Sequence, residues 1–362
     1  MNKDDDISFK DLFDYSNITD FESYVSELLN KVDVKENLDN WQKFITGINL
    51  FTTSSYKRNE DLKIIWQNGS ARLLAWDKVS SDKIILFIPS LINKSYILDL
   101  KKNNSLVEYL AKDFKVLVLD WQEPILTEEN FTIEDYIIKR IIPAIKFIAK
   151  NYSGKITLAG YCLGGVLGVA AAICAKKYIS SLILLATPWD FSHVNSLQDY
   201  SIMEKYLDNQ PFVSAGLIHS MFYIQNFKRI YDKYIEFSGA DQNSKKFETF
   251  IAVEKWASDG ISLTKPLMKQ LYNEFCQKNI AANNNWKISK SLIDPQKLDV
   301  PCLIIIPTND NIVPPKSTDL LTKHIKNNTL IKISSGHVGM IIGSKAKKKL
   351  WLPLKKWINN II

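Results

Sequence analysis

Ile156-Thr157-Leu158-Ala159-Gly160-Tyr161-Cys162-Leu163-Gly164-Gly165 is an apolar run that breaks into glycines around a single cysteine. It reads as a buried strand ending in a sharp turn that lifts the thiol clear of the backbone, with a helix following. Glycines flank the turn because the entering strand and the departing helix leave no room for side chains. Val166 to Ala175, rich in Gly and Ala, fits a helix packed tightly under a sheet. A thiol at such a turn points to thiol-based acyl chemistry. The competing reading is a buried structural cysteine in a chance pattern, which the scarcity of both residue types, 13 Gly and 4 Cys in 362 residues, makes the weaker one.

A nucleophile needs a base and a group that orients the base, and at turns of this kind they follow in the order acid, then histidine. Val300 to Ile306 reads as a short buried strand running into Pro307-Thr308-Asn309-Asp310, which puts Asp310 just past the strand end. The next apolar run, Leu330 to Ile333, is followed by Ser334-Ser335-Gly336-His337. Cys162, Asp310 and His337 are therefore the candidate triad. The other histidines, His193, His219 and His324, lack this placement and are expected to serve packing or the surface.

The remaining pattern predicts an α/β-hydrolase fold, a mostly parallel sheet with helices on both faces and a helical cap insertion. Residues 62–66 and 71–76 read as a hairpin, and Lys83 to Ile88 and Lys115 to Leu119 as buried strands with a helix around Ser105 to Lys112 between them. Ile137 to Ala149 is an apolar-periodic helix leading to the nucleophile strand, and Leu182 to Leu185 is the next strand. The expected organisation is an N-terminal helical arm (1–60), a first part of the core (61–190), a cap insertion (191–298) and a second part of the core (299–362). The cap is dominated by aromatic-rich helical segments such as 222–227 and 230–235, and it reads either as a cover over the site or as a packed helical subdomain. The arm is amphipathic, with Phe13, Tyr24, Leu28 and Leu29 among its apolar positions, and suits packing or a partner.

Composition narrows the function classes. With 46% hydrophobic and 11% aromatic residues the chain can bury a large core. Its net charge of +7 is spread along the chain, and Lys345, Lys347, Lys348 and Lys349 read as a solvated helix face. No nucleic-acid partner is expected. There is no apolar run of spanning length and no secretory signal at the acidic N-terminus, so no membrane span and a cytoplasmic location are expected. Cys162, Cys174, Cys276 and Cys302 lack metal spacing, and a free thiol suits a reducing compartment. No metal site is expected, and Cys302, within a strand, reads as a small core residue.

Several further stretches bear a resemblance to the polyhydroxyalkanoate (poly-3-hydroxybutyrate) synthases, in particular the short, class III-like catalytic subunits. Pro89 to Leu100 with Asn104-Ser105-Leu106 is similar to the segment after the first long strand of that family. Leu119-Asp120-Trp121 with Pro124, Thr132 to Ile137 and Ala186 to Phe191 resemble other signatures in the same order. Gly160 to Gly165, Asp310 to Pro315 and Gly336 to Gly339 match its nucleophile, acid and histidine boxes. Departures are Ser90, where proline is often seen, Asn311, where many members carry histidine, and Val166 after the glycines. The likeness spans about residues 80–360; the first 80 residues carry little of it, and the long N-terminal domain of the larger synthases is not expected.

The resemblance implies polymerisation of an (R)-3-hydroxyacyl-CoA, 3-hydroxybutyryl-CoA first among them, with release of CoA through a Cys162 acyl-enzyme. CoA enters only as the substrate thioester, so no cofactor is expected. The backbone N–H of Leu163 and one from the 90–92 loop, that of Leu91, are the expected oxyanion donors. Tyr161 either walls the pocket or fills the core behind the turn. Trp256 and Asp259, in a segment similar to the family's cap, are candidates for substrate binding. Lys94 and the C-terminal lysines are candidates for the phosphates of CoA. The family also implies a second synthase subunit, a homodimer and a place on polyester granules. Two other readings fit the same residues: a thioesterase or polyester depolymerase, and an idle granule-binding relative.

Overall fold

Runs of apolar sequence become the strands of one eight-stranded sheet: β1 (Lys63–Asn68), β2 (Ala71–Trp76), β3 (Ile84–Ile88), β4 (Lys115–Trp121), β5 (Ile156–Tyr161), β6 (Ile179–Leu185), β7 (Cys302–Pro307) and β8 (Asn328–Ile333). The structure, a computed structural model, describes residues 38–58, 62–76, 79, 81–194 and 210–361. Phe13, Tyr24, Leu28 and Leu29 of the expected arm lie outside the described residues. The strand order is β1-β2-β4-β3-β5-β6-β7-β8. β2 runs antiparallel to β1 and β4, and every other pairing is parallel.

Each residue of β3, β5 and β7 is buried. Strands covered on both faces need apolar residues at every position, which is why they read as continuous runs and not as alternation. The edge strand β8 is half exposed and carries Lys332, a charge that discourages a further strand from pairing there. The predicted hairpin is present as β1 and β2.

The helices are α1 (Leu38–Thr53), α2 (Leu106–Leu110), α3 (Ile142–Asn151), α4 (Leu163–Cys174), α5 (Ala215–Gln225), α6 (Phe227–Ser238), α7 (Lys245–Ala257), α8 (Lys265–Gln270), α9 (Asp319–His324), α10 (His337–Ile342) and α11 (Leu352–Ile361). The single helix predicted from Ile137 to Ala149 is instead entered through a turn at Ile133–Tyr136 and a π-helical turn at Ile137–Ile141. Pro143, at the start of α3, has no N–H to donate, and the ladder shifts register around it. No helix among the described residues is long and apolar enough to cross a membrane.

The described residues fall into two compact units, one of 38–54 with 222–247 and one of those between 55 and 221 with 248–361. The expected 191–298 insertion is thus divided between them. In the smaller unit α1 packs on α6 through aromatic rings: Phe44 and Trp41 stand 5.0 and 5.1 Å from Tyr231, centroid to centroid. The larger unit holds the sheet and the candidate triad. There α4 lies under the sheet, buried at every position from Leu163 to Ala172, as its Gly and Ala content predicts.

Candidate active site

Cys162 sits between the end of β5 and the first residue of α4 with φ 55° and ψ −128°, a conformation that non-glycine residues rarely hold. The turn is fastened on both sides: Cys162 N–H donates to the Leu185 carbonyl at 2.9 Å, and Gly165 N–H to the Cys162 carbonyl at 2.9 Å. A Cβ on Gly164 would run into the Ile88 and Pro89 carbonyl oxygens, and one on Gly165 into Thr187. These collisions explain the glycine spacing. Gly164→Ala is expected to lower the unfolding free energy by about 1–3 kcal/mol, because backbone cannot yield as a side chain can. Gly168→Ala, whose added methyl meets nothing closer than 3.8 Å, should stabilise by about 0.5–1 kcal/mol through helix propensity. Urea unfolding of the two variants checks these opposite signs.

Asp310 and His337 come together beyond the ends of β7 and β8. Their loops are tied by Thr308 N–H to the Ile333 carbonyl at 2.8 Å and Asn309 N–H to the Ser335 carbonyl at 3.0 Å. Asp310 Oδ1 accepts from the Ile312 and Val313 amides, both at 2.9 Å, which leaves Oδ2 to meet His337 Nδ1 at 2.6 Å. Both side chains are buried. With Nδ1 engaged by Asp310, Nε2 is the ring nitrogen left free to serve a thiol, and Cys162 acts on the imidazole electrostatically. Burial pulls the imidazole pKa down, but the electrostatic attraction of Cys162 and the hydrogen bond and charge of Asp310 outweigh it and carry it to about 10.

A raised histidine pKa stabilises the fold fully below the unfolded value near 6.5, and the contribution is lost as pH rises through about 10. The stability gap between the wild type and His337→Gln is therefore expected to be widest at pH 6 and to narrow toward pH 10. Urea midpoints at matched ionic strength measure it. A gap that widens with pH would contradict the arrangement.

Leu163 is the first residue of α4, where a helical N–H has no carbonyl partner within its own helix. Leu91 lies in the loop after β3, buried, and among the described residues no group accepts from its N–H. Ser90 Oγ takes the neighbouring Ile92 N–H at 3.4 Å. The loop is held close to α4, since a side chain on Gly164 would strike its Pro89 carbonyl.

Tyr161, the last residue of β5, is buried and stacks on the His337 ring at 5.0 Å and 28°, with its hydroxyl 3.4 Å from the His337 carbonyl. It supports the imidazole from behind. Trp256 and Asp259 lie at and just past the end of α7: the Trp256 indole N–H donates to the Lys94 carbonyl at 2.8 Å, and Asp259 accepts from Tyr96 at 3.1 Å and pairs with Lys94 at 2.7 Å. Lys94, a candidate for CoA phosphate, is thus engaged by a carboxylate. It also borders a cavity of about 350 Å³ whose lining includes Arg58, Arg72 and Gln122 but not Cys162. Burial pushes the Cys276 thiol up to about 12 and the buried Cys302 thiol higher still, which keeps both protonated. The support from Tyr161 and the contacts of Asn93, Lys94 and Tyr96 with the 256–261 segment were not legible in the sequence, where Asn93 and Lys94 stand only as two polar residues in the loop that follows β3.

The family described as alpha/beta hydrolase fold matches residues 83–344. The family described as poly-beta-hydroxybutyrate polymerase (PhaC) N-terminus matches residues 16–110, so the likeness reaches further into the first 80 residues than the motifs alone indicate. The poly(3-hydroxyalkanoate) polymerase subunit PhaC of Haloferax mediterranei is 27% identical over 82% of this chain and 63% of its own length. The protein of that name from Haloarcula marismortui is 26% identical over 83% of this chain and 66% of its own length. The Synechocystis one is 23% identical over 90% of this chain and 93% of its own length. The chain therefore spans just under two thirds of the first two relatives and nearly all of the third.

Among solved structures, a putative non-heme bromoperoxidase BpoC from Mycobacterium tuberculosis overlays with a TM-score of 0.53 at 14% identity, covering 84% of this chain and 100% of that one. A thioesterase domain from the curacin biosynthetic pathway gives 0.51 at 13%, with the same coverages. At such identities the likeness speaks for the fold alone. The chain belongs to the alpha/beta hydrolase fold family and is a relative of the poly(3-hydroxyalkanoate) polymerases.

Proposed function

We propose that the protein is the catalytic subunit of a polyhydroxyalkanoate synthase, which lengthens a polyester from (R)-3-hydroxyacyl-CoA, 3-hydroxybutyryl-CoA first among them, and releases CoA. The observation that carries this reading is His337, held by Asp310 on Nδ1 and under the electrostatic influence of Cys162 at the strained turn after β5, in a relative of the polymerases. His337 takes the proton of the Cys162 thiol, and the thiolate attacks the thioester carbonyl. The negative charge that develops on the carbonyl oxygen falls to the N–H groups of Leu163 and Leu91. CoA leaves as its thiol, with the proton returned by His337, and the acyl group stays on Cys162.

The hydroxyl of the next monomer then attacks this acyl-enzyme. An ester bond forms, the bond to sulfur breaks, and the hydroxyl proton passes through His337 to the Cys162 sulfur. The lengthened chain, now a CoA thioester, reacylates Cys162 and releases CoA. Pinning of Asp310 Oδ1 by two amides supports an orienting role for this carboxylate in both halves of the cycle. Tyr161, Trp256 and Asp259 are proposed to shape the substrate's surroundings, Tyr161 through its hold on the imidazole.

Labelled (R)-3-hydroxybutyryl-CoA incubated with the protein, with CoA, free hydroxy acid and insoluble polymer separated by chromatography, tests the reading. Polymer is the expected product. Free acid without polymer would instead assign the scaffold to a thioesterase or depolymerase. Family likeness also supports a second synthase subunit, a homodimer and residence on cytoplasmic polyester granules; sedimentation of the protein with and without polymer tests these.

A further inference from the structure

The loop that carries Leu91 is not held by the sheet alone. Just past Leu91, residues 92–96 are fastened to the 256–261 segment at the end of α7 by contacts from backbone and side chain together. Asn93 and Gly260 form an antiparallel bridge, Ile261 N–H donates to the Ile92 carbonyl at 2.9 Å, and Lys94 N–H lies 3.5 Å from the Asp259 carbonyl. The indole N–H of Trp256 donates to the Lys94 carbonyl at 2.8 Å. Asn93 Nδ2 faces the Trp256 and Ala257 carbonyls at 3.4 and 3.3 Å and His219 Nε2 at 3.2 Å, so that its two hydrogens are shared among three acceptors. Trp256 and Ala257 belong to the last turn of α7; the Trp256 carbonyl also accepts the Asp259 N–H at 3.1 Å, so the Ala257 carbonyl is the one for which the Asn93 amide is the main partner. The Asn93 amide is thus a cap for α7 as well as a tether for the loop.

We propose that Asn93 and Trp256 are positioning residues for the oxyanion hole: by clamping residues 92–94 to the end of α7 they fix the direction of the Leu91 N–H. The inference rests on the acyl-transfer reading above and adds to it a specific route by which the insertion acts on the chemistry. A loop that follows a strand end has only its two neighbours in sequence to hold it, and a donor displaced by about 1 Å loses on the order of a hundredfold in rate. A chain of contacts to a packed helix supplies the missing restraint. The tie also makes the 256–261 segment and the oxyanion donor move as one, so any displacement of the end of α7 reaches the reacting carbonyl.

Two reactions of the same thiol separate this role from a merely structural one. Attack on a thioester develops an oxyanion, whereas alkylation of Cys162 by iodoacetamide does not. Asn93→Ala, and Trp256→Phe as the variant that keeps the ring and loses only the N–H donor, are compared with the wild type in single-turnover release of CoA from (R)-3-hydroxybutyryl-CoA and in alkylation rate. The expected result is a fall in the saturating acylation rate of about 10- to 100-fold, with the half-saturating concentration within about 3-fold and alkylation within about 2-fold of the wild type. An equal fall in both reactions would mean that the clamp only supports the fold, and unchanged acylation would mean that the loop needs no clamp. Either overturns the proposal. Wild-type protein that alkylates but never releases CoA would overturn the acyl-transfer reading itself, a failure distinct from the other two.

Discussion

Replacement of Cys162 by alanine is expected to lower CoA release from a hydroxyacyl-CoA by about 10⁴- to 10⁶-fold, the range found when a nucleophile is removed from a triad that acts as a unit. The size follows from what remains. Without Cys162 the base has no thiol to deprotonate, and the oxyanion donors can assist only direct attack by water or alcohol. The loss is also expected to be non-additive: His337→Ala alone falls nearly as far, and the double variant no further, because each residue acts only through the other. Single-turnover CoA release with the two single variants and the double one measures this. Of the four cysteines, Cys162 alone acts on a histidine held by a carboxylate among the described residues, whereas burial keeps Cys276 and Cys302 protonated. A Cys162→Ala variant that retains a tenth of the activity would place the nucleophile elsewhere.

The largest effect on stability is expected at Glu128, far in sequence from the triad. Its side chain is fully buried and meets Arg140, whose Nε lies at 3.0 Å, while its oxygens accept from the amides of Ser70 at 3.0 Å and Ile125 at 3.3 Å. Arg140 is itself nearly buried and is presented by the π-helical turn ahead of α3. Burial alone would raise the Glu128 pKa, but the Ser70 hydrogen bonds and the Arg140 guanidinium reverse this and lower it, so its contribution is present at neutral pH and lost in acid. Glu128→Leu leaves a buried guanidinium without its counter-charge and is expected to cost about 3–5 kcal/mol. Replacing both partners, Glu128→Leu with Arg140→Met, removes the orphaned charge and should recover most of that loss. Chemical denaturation of the two proteins gives the comparison; a single variant within 1 kcal/mol of the wild type would show that water reaches the guanidinium.

How far the sequence could be read depended on the range of the physics involved. The elbow was legible because its glycines fall within six residues of one another, although part of the space they leave is filled from afar: Gly160 makes room for the backbone of Gly164 and Gly165, and Gly164 and Gly165 make room for Ile88, Pro89 and Thr187. The central strands were legible because burial on both faces demands unbroken apolar runs. Asp310 could be picked out because it follows such a run within three residues, and His337 because it follows the partly exposed edge strand β8 within four. The π-helical entry to α3 was missed because apolar periodicity does not report a one-residue shift in the hydrogen-bond ladder.

By itself, then, the sequence marked out the strands, the elbow and three candidate triad residues, each by a pattern of neighbours along the chain. Only the tertiary structure decided that Asn93 meets the end of α7, that Tyr161 stacks on His337, and that Glu128 and Arg140 close on one another beside the β1–β2 turn. Those contacts depend on the strand order, which brings β4 between β2 and β3 and sets the ends of β3, β5, β7 and β8 along one edge of the sheet. A side chain's partners across the sheet follow from strand order and register, which no window of neighbouring residues contains.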